Sequence, residues 1–220
     1  MKVYLTPEEV ERMAQAATNL RDRLLISLLF WGSCRVSEAL GIRVEDVNPA
    51  QGTVTIKHLK TRITLLCPYC GTRLSRAARF CPECGKDVPA PLRKEQKMHR
   101  IRTIPLEKQT MVRLLDFIRR DNTQGLIFKI GRTQALKVVK DSARKAGVEE
   151  LVNPETGKVR GVSPHRLRDA FAIMAVQHDD STDAIRMLQE HLGHQSIATT
   201  MKYRKISGKE LTEWYQNLKS

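Results

Sequence analysis

Two pairs of residues with three-residue spacing carry groups that can act on a phosphate. Arg35 and Glu38 follow Gly32, and His165 and Arg168 lie near the predicted start of a helix. Residues at positions i and i+3 of a helix share one face, and the amino terminus of a helix is itself favourable to phosphate. A histidine and an arginine on one helical turn can therefore contact one phosphodiester. For either pair alone, an ordinary basic surface is the favoured interpretation.

A third stretch contains His191, His194 and, nine residues after His194, Tyr203. The two histidines have the spacing of a metal pair on a helix, but no carboxylate-rich context supports a metal there. Tyr203 alone is compatible with an ordinary tyrosine at the end of a helix. A phenol can, however, attack a phosphodiester, and guanidinium and imidazole groups then stabilise the developing negative charge. A lysine is suited to protonate the leaving 5′-oxygen, and neither ATP nor a divalent metal is required.

Four of the five cysteines form two CxxC pairs, Cys67 with Cys70 and Cys81 with Cys84. Two such pairs at this spacing are typical of a structural Zn²⁺ site, in which four thiolates close a tetrahedron and leave no position for water. The sequence therefore predicts a zinc-ribbon-like module that is too small to have a sufficient core of its own. The alternative is four unrelated reduced cysteines, and Cys34 is predicted to be a small packed residue.

The composition indicates a globular protein with a polyanionic partner. The 38 Lys and Arg residues outnumber the 24 Asp and Glu residues, which gives a net charge of +14, and 41% of the residues are hydrophobic. Nucleic acid is the usual partner of such a chain, although a merely soluble basic surface is the alternative. Aromatic residues make up only 5%, which argues against single-strand binding by base stacking. No apolar run reaches the ~18 residues of a membrane span and no signal peptide is visible, so we expect a cytoplasmic protein that does not enter a membrane.

The elements that must position these groups are mostly helical. Thr6 is the predicted amino-terminal cap of the first helix, with Pro7 at its first position and Glu9 completing a capping box. Hydrophobic periodicity predicts the other elements. The helices are Leu20–Phe30, Glu107–Arg120, Thr133–Ala146, Thr182–Leu192, Ser196–Tyr203, a short one within Ser33–Leu40 and one from Ser163; the strands are Thr53–Leu59 and Arg100–Leu106.

Several motifs in this order resemble the tyrosine recombinase (phage-integrase) family, which includes the Xer-type chromosome resolvases. They are GSCRVSEAL, KTR followed later by RTIPL, HRLRDAFA, and LQEHLGHQSIATTMKY. The resemblance runs from about Val3 to Lys205 with the cysteine insert set aside. It implies an α+β fold, a mostly helical catalytic domain with a small antiparallel sheet and here a zinc-ribbon-like insertion in the hairpin.

The resemblance also implies roles for the matching residues. Arg35 and Arg168 correspond to the two arginines that clamp the scissile phosphate, and Glu38 to the acidic residue that braces the first of them. His165 is similar to a histidine that donates a hydrogen bond or acts as general base. His194 resembles a second histidine that contacts the phosphate.

The same resemblance makes Tyr203 the nucleophile. Lys60 of the KTR motif matches the catalytic lysine best, and Lys57 is the alternative because the insert begins just beyond it. Asp169 follows Arg168 where many relatives carry histidine, a departure that we interpret as secondary.

The implied organisation is a catalytic domain over residues 1–220, interrupted by the insert at 63–98 and ending in a coupling helix at 207–220. The helical core-binding domain that usually precedes it is missing, so this is either a lone catalytic domain or an excised piece. The insert carries Arg73, Arg76 and Arg79 and either contributes to DNA binding or is a passive spacer. Leu211, Trp214, Tyr215 and Leu218 form an apolar stripe that folds back on its own domain or docks on another copy of the chain.

The predicted function is that of a site-specific recombinase or integrase, from a prokaryotic cell or a mobile element, that cleaves and rejoins double-stranded DNA through a 3′-phosphotyrosyl intermediate. It would use structural Zn²⁺ and no catalytic cofactor. Two alternatives are open: a catalytically weak DNA-binding module that occupies recombination sites, and a type IB topoisomerase-like enzyme that relaxes DNA without pairing two sites. The target sequence, and the choice among integration, excision and dimer resolution, cannot be read from the residues.

Overall fold

The chain divides into two compact units. The computed structural model describes residues 2–148, 150–153, 156–207 and 215–218, without the side chains of 58–62, 96–100 and 205–207. One unit is formed by Met1–Ile56 together with Arg102–Ser220, and the other by Lys57–Ile101. The second unit contains the region in which the sequence predicted an insert.

The first unit is mainly helical, as predicted. The helices are α1 (Pro7–Gln15), α2 (Leu20–Trp31), α3 (Val36–Ala39), α4 (Lys108–Arg120), α5 (Arg132–Lys145), α6 (Pro164–His178), α7 (Thr182–Leu192) and α8 (Ile197–Ser207), and a 3₁₀ turn spans Val44–Asp46. Each predicted helix up to α8 is found within a few residues of its expected bounds. Helix α8 continues four residues beyond its predicted end at Tyr203.

Local sequence explains how the first two helices form and pack. The Thr6 hydroxyl accepts a hydrogen bond from the Glu9 amide, and the Glu9 carboxylate accepts one from the Thr6 amide, so the predicted capping box of α1 is confirmed. From Leu24 to Phe30, helix α2 is apolar on all sides apart from Ser27, and most residues of this stretch have no solvent exposure. A helix of this kind belongs in the centre of a domain, and α2 packs against α1, α4 and α6.

A small antiparallel sheet accompanies the helices. Its strands are β1 (Val47–Asn48), β2 (Thr53–Leu66), β3 (Arg73–Leu74) and β4 (Leu92–Pro105), and a separate two-stranded sheet contains β5 (Leu151–Val152) and β6 (Val159–Arg160). Val47 is paired with Val54 and Leu65 with Leu74, and β4 pairs with β2. Strands β2 and β4 are each about twice as long as predicted, because both continue into the region that the sequence assigned to the insert.

The second unit has a very small core. Cys67, Leu74, Cys81 and Val88 are its buried residues, with Leu65 and Ala78 packed against them. Tyr69 and Phe80 are largely exposed, and the Lys86 ammonium lies 4.5 Å from the centre of the Tyr69 ring. So little apolar burial cannot stabilise a domain of this size by itself.

The carboxyl-terminal segment is described only in part. The predicted coupling helix at 207–220 lies mostly outside the described residues, although 215–217 are helical and the side chains of Tyr215 and Leu218 are exposed. Across the residues that the structure describes, no helix combines the length and the apolar character needed to cross a membrane.

Candidate active site

The turn between α2 and α3 carries Arg35. A Cβ atom on Gly32 would lie 2.7 Å from the Leu28 carbonyl oxygen, so the chain can leave α2 in this way only at a glycine. Ser33 follows with a positive φ of 48°, which is uncommon for a residue with a side chain. Such a conformation persists only where the surroundings hold it, and here Arg168 donates a hydrogen bond of 2.6 Å to the Ser33 carbonyl oxygen.

Glu38 is the centre of a cluster of arginines. Its side chain is 1% exposed, and Arg35 and Arg102 each donate to one of its carboxylate oxygens at 2.8 Å. The Arg168 guanidinium is 4.0 Å from the same carboxylate. Burial by itself would raise the pKa of Glu38, but the hydrogen bond and charge of Arg102 and the hydrogen bonds of Arg35 lower this pKa to about 2. Glu38 is therefore ionised at neutral pH and contacts Arg35, and its role of bracing that arginine stays a prediction.

Arg168 is buried, with 1% of its side chain exposed. It donates hydrogen bonds of 2.6 Å to the carbonyl oxygens of Ser33 and Leu192, and so joins α6 to the turn after α2 and to the end of α7. Burial first, and the charge of Arg35 second, lower the pKa of Arg168 to about 10, so it remains a cation at neutral pH. Each of its terminal nitrogens has a second N–H, which leaves donors for an anion.

Arg102 is a third arginine of this cluster, and no role was predicted for it from the sequence. Its Nε donates to the His191 carbonyl oxygen at 3.0 Å, while its other end contacts Glu38. The guanidinium passes so close to Gly193 that a Cβ atom there would lie 2.8 Å from it, and Gly193 also has a φ of 66°. The glycine of the LGH motif is thus required both by the backbone and by Arg102. The RTIPL motif, which begins with Arg102, is the sequence feature from which a role for this arginine could have been predicted.

His194 lies directly after this glycine. Its Nδ1 is 2.9 Å from the Thr200 hydroxyl, and its ring is nearly parallel to that of Tyr203, with ring centres 6.2 Å apart. Burial, followed by the charges of Arg168 and Arg35, lowers the pKa of His194 to about 4. The imidazole is therefore neutral at neutral pH.

Tyr203 lies on α8 against the apolar residues of α6 and α7, and is 8% exposed. Its hydroxyl donates a hydrogen bond of 2.9 Å to Oδ1 of Asp169. Burial raises the pKa of Tyr203, and the negative charge of Asp169 raises it further. The phenol is consequently protonated in the free protein.

His165 and Asp169 lie one turn apart on α6. The His165 side chain is 74% exposed, and its Nδ1 is 3.6 Å from Asp169 Oδ1. Arg166 contacts the other carboxylate oxygen of Asp169 at 3.2 Å. We interpreted Asp169 from the sequence as a secondary departure, but the structure places it in direct contact with the candidate nucleophile.

His191 does not face a metal partner among the described residues. Its ring stacks on Phe171 at 4.9 Å between ring centres, and burial lowers its pKa to about 4. Nε2 of His191 is buried without a hydrogen-bond partner in the part of the chain that the structure describes. The observed role is packing between α6 and α7.

The catalytic lysine remains a prediction. The side chain of Lys60 lies outside the described part of the chain, and Lys57 is exposed at the start of the second unit.

The four paired cysteines meet in the second unit. Their sulfur atoms all lie within 4.8 Å of one another, with 3.7 Å between Cys67 and Cys84 and 3.5 Å between Cys70 and Cys81. Tetrahedral Zn²⁺ with bonds of ~2.3 Å requires sulfur atoms about 3.8 Å apart, so the arrangement fits this ion. The two CxxC turns also match: Gly71 donates to the Cys67 carbonyl oxygen as Gly85 donates to that of Cys81.

Residues 3–210 match the phage integrase family. This chain belongs to that family. The resemblance stated from the motifs is thereby confirmed, and the match covers every residue of the arginine cluster together with Tyr203.

Curated relatives include tyrosine recombinases. Tyrosine recombinase XerA of Pyrococcus furiosus is 27% identical over 221 residues, which cover 95% of this chain and 59% of that protein. The type 1 fimbriae regulatory protein FimE of Escherichia coli strain K12 is 27% identical over 209 residues, which cover 91% of this chain and 84% of that protein. This family member spans about three fifths of the length of the XerA relatives that it matches.

Solved structures share the fold. The crystal structure of XerA recombinase has a TM-score of 0.65 at 19% identity, covering 100% of this chain and 64% of that one. XerH recombinase bound to palindromic difH substrate in a post-cleavage complex has a TM-score of 0.61 at 19% identity, covering 100% and 54%. The catalytic domain of bacteriophage HP1 integrase has a TM-score of 0.51 at 18% identity, covering 98% and 95%. The predicted fold class is thus confirmed.

Because three arginines surround Glu38, we expect neutralising this residue to lower the free energy of unfolding strongly. Glu38→Gln would leave Arg35, Arg102 and Arg168 close together without their buried counter-charge, so we expect a loss of about 3–5 kcal/mol in the free energy of unfolding. Glu11→Gln, which removes the partner of Arg113 at a more exposed site, should cost at most about 1 kcal/mol. Chemical denaturation of both variants measures the difference, and equal stabilities would contradict the central role of Glu38.

Proposed function

We propose that this integrase-family chain is the catalytic part of a site-specific DNA recombinase that cleaves and rejoins DNA through Tyr203. One observation carries the proposal. The chain combines a buried tyrosine hydroxyl, that of Tyr203, with three arginines clustered around Glu38 and with the neutral imidazole of His194, whose ring lies parallel to that of Tyr203. The XerA relatives, which are named tyrosine recombinases, support it.

The proposed reaction is a transesterification. The Tyr203 oxygen bonds to the scissile phosphorus, the bond from phosphorus to the 5′-oxygen breaks, and a 3′-phosphotyrosyl link forms. Arg35 and Arg168 would stabilise the negative charge on the non-bridging oxygens, as preorganised donors do in other enzymes. His194 and His165 would donate further hydrogen bonds, and Lys60 would protonate the leaving oxygen. Rejoining is the reverse attack by a 5′-hydroxyl, so no energy source is consumed.

Double-stranded DNA is the proposed partner. The net charge of +14 favours a polyanion. The solved structure of XerH is a complex with palindromic difH substrate, and that of the Tn1549 transposon integrase is a complex with transposon right end DNA. Phosphate contacts by arginine and lysine make such binding strongly dependent on salt. We propose that Arg73, Arg76 and Arg79 of the second unit add to these contacts.

We propose that Cys67, Cys70, Cys81 and Cys84 hold one Zn²⁺ with a purely structural role. The sulfur separations fit the ion, and the four thiolates would fill its coordination shell, which leaves no position for a reacting water. The apolar core of this unit is too small to replace the metal. The predicted insert at residues 63–98, which lies within the second unit, would thus be a zinc-ribbon-like insertion in the catalytic domain.

We also propose that residues 207–220 couple neighbouring copies of the chain on paired DNA sites. The apolar stripe of this segment includes Tyr215 and Leu218, whose side chains are exposed within the described residues. A short helix with an apolar face gains stability by burying that face against another surface. A second copy of the chain, docked head to tail, would provide the surface.

Replacing the nucleophile tests the proposed chemistry. Tyr203→Phe lacks the attacking oxygen, so we expect no covalent adduct on a nicked suicide DNA substrate while non-covalent binding stays within about twofold, because only one hydroxyl is lost. Tyr4→Phe, at another partly buried tyrosine whose hydroxyl is hydrogen bonded, is the control and should form the adduct. An adduct with Tyr203→Phe would refute the role of Tyr203. An adduct without exchange between two duplexes would favour a topoisomerase-like activity.

The zinc content of the protein tests the proposed metal site without any activity assay. Protein purified without added zinc should contain one zinc ion per chain by elemental analysis, and Cys70→Ser should lose it because three thiolates no longer close the site. Cys34→Ala is the matched control, since Cys34 is buried in the first unit, and it should retain the ion. Wild-type protein without zinc would refute the site.

Deleting the residues after Ser207 tests the coupling. We expect binding to a single DNA site to change little and recombination between two sites to be lost, because the segment would contact another copy rather than DNA. Gel-shift assays measure the first effect and product formation from two duplexes the second. Normal recombination by the shortened chain would show that the segment does not couple subunits.

A further inference from the structure

The environment of Asp169 fixes both oxygens of its carboxylate. Oδ1 accepts the hydrogen bond from the Tyr203 hydroxyl at 2.9 Å and is 3.6 Å from His165 Nδ1. Oδ2 is held by Arg166 at 3.2 Å, and the side chain is 15% exposed. Asp169 and Tyr203 are 34 residues apart and lie on different helices, so α6 presents a carboxylate to the reacting atom on α8.

A phenol in this position needs a proton acceptor before it can attack. Burial and the charge of Asp169 keep Tyr203 protonated by raising its pKa, while the positive charges of Arg168 and Arg35 act in the opposite direction. The Nδ1 atom of His194 is already engaged with the Thr200 hydroxyl, and its ring lies parallel to the tyrosine ring at 6.2 Å rather than in line with the hydroxyl. The oxygen that accepts the phenolic hydrogen bond belongs to Asp169.

We propose that Asp169 is the general base that removes the phenolic proton of Tyr203 during DNA cleavage. This inference rests on the proposed function. As the Tyr203 oxygen bonds to phosphorus, its proton passes to Asp169 Oδ1. The bond from phosphorus to the 5′-oxygen breaks, and the leaving oxygen keeps the electron pair of that bond and takes a proton from an acid, Lys60 in the proposed mechanism. In rejoining, the 5′-hydroxyl oxygen bonds to phosphorus and gives its proton back to Lys60, while Asp169 returns the proton to Tyr203 as the phosphotyrosyl bond breaks.

The timing of the transfer follows from the chemistry of the two groups. A carboxylate is intrinsically a much weaker base than a phenolate, so the proton stays on the tyrosine in the free protein. Bond formation to phosphorus removes electron density from the phenol oxygen and makes its proton acidic, and only then does transfer become favourable. Asp169 would therefore act within the step and would not create a phenolate that could react prematurely.

Asp169→Asn separates this role from simple positioning. The amide keeps an oxygen that can accept the hydrogen bond but is not a useful base, so we expect adduct formation in a single turnover to slow by roughly 10²–10⁴-fold, the usual contribution of a general base. DNA affinity and the melting temperature should stay close to those of the wild type. Adduct formation at the wild-type rate or faster would overturn the inference, and a faster rate would identify the contact as a restraint on Tyr203.

A more acidic phenol provides a second readout. With a fluorinated tyrosine incorporated at position 203, the need for a base falls, so the difference in adduct rate between the wild-type chain and D169N should become smaller. A residue that only positions the ring would give the same difference with either phenol, and that result would overturn the inference.

Asp180→Asn is the matched control for the loss of a carboxylate next to α8. Asp180 contacts Arg204, the residue after Tyr203, at 3.3 Å. The Tyr203 hydroxyl itself donates its hydrogen bond to Asp169. We expect the adduct rate of D180N to stay near that of the wild type, and a slowing equal to that of D169N would overturn the specific role of Asp169. Absence of an adduct with the wild-type chain would refute the proposed function itself, whereas a wild-type adduct with unimpaired D169N refutes this inference alone.

Discussion

The buried carboxylate of Glu38 is the interaction on which the candidate site depends. Three guanidiniums approach one another from the turn before α3, from β4 and from α6, and their mutual repulsion would oppose the fold without an anion between them. Glu38 contacts Arg35 and Arg102 directly and lies 4.0 Å from Arg168. Backbone carbonyl oxygens at the ends of α2 and α7 accept further hydrogen bonds from Arg102 and Arg168. The positive charge is therefore already in place in the free protein, so little reorganisation would be needed in the proposed reaction.

One carboxylate does not neutralise three arginines, and this imbalance has a function in the proposed reaction. The excess positive charge lies beside Tyr203, whose buried phenol is neutral in the free protein. A phosphodiester entering the site would supply the missing negative charge, and its non-bridging oxygens gain charge in the transition state. The neutral imidazole of His194 adds a hydrogen-bonding group without increasing the repulsion among the cations. The same cluster can thus bind the substrate and stabilise the transition state more strongly than the ground state.

The sequence predicted the local parts of this site well and its long-range contacts poorly. Arg35 with Glu38 could be recognised because the two residues are three positions apart, and a pattern of that length is visible in the chain itself. The contact from Arg102 to Glu38 spans 64 residues, and nothing in the local pattern of a strand indicates such a partner. The same limit applies to Asp169, whose partner is 34 residues away. The lengths of β2 and β4 were underestimated because alternation in the insert is obscured by charged residues.

Each unit brings together side chains that repel one another when charged: cysteine thiolates in the second unit and arginine guanidiniums in the first. In the second unit four sulfur atoms lie within 4.8 Å of one another, and as thiolates they would repel unless a cation held them. In the first unit clustered guanidiniums require an anion, and Glu38 supplies part of it. A structural ion completes its site permanently, which suits a module with almost no apolar core. The arginine cluster is left incompletely neutralised by Glu38, and in the proposed reaction that residual charge would allow a phosphate to bind, react and leave.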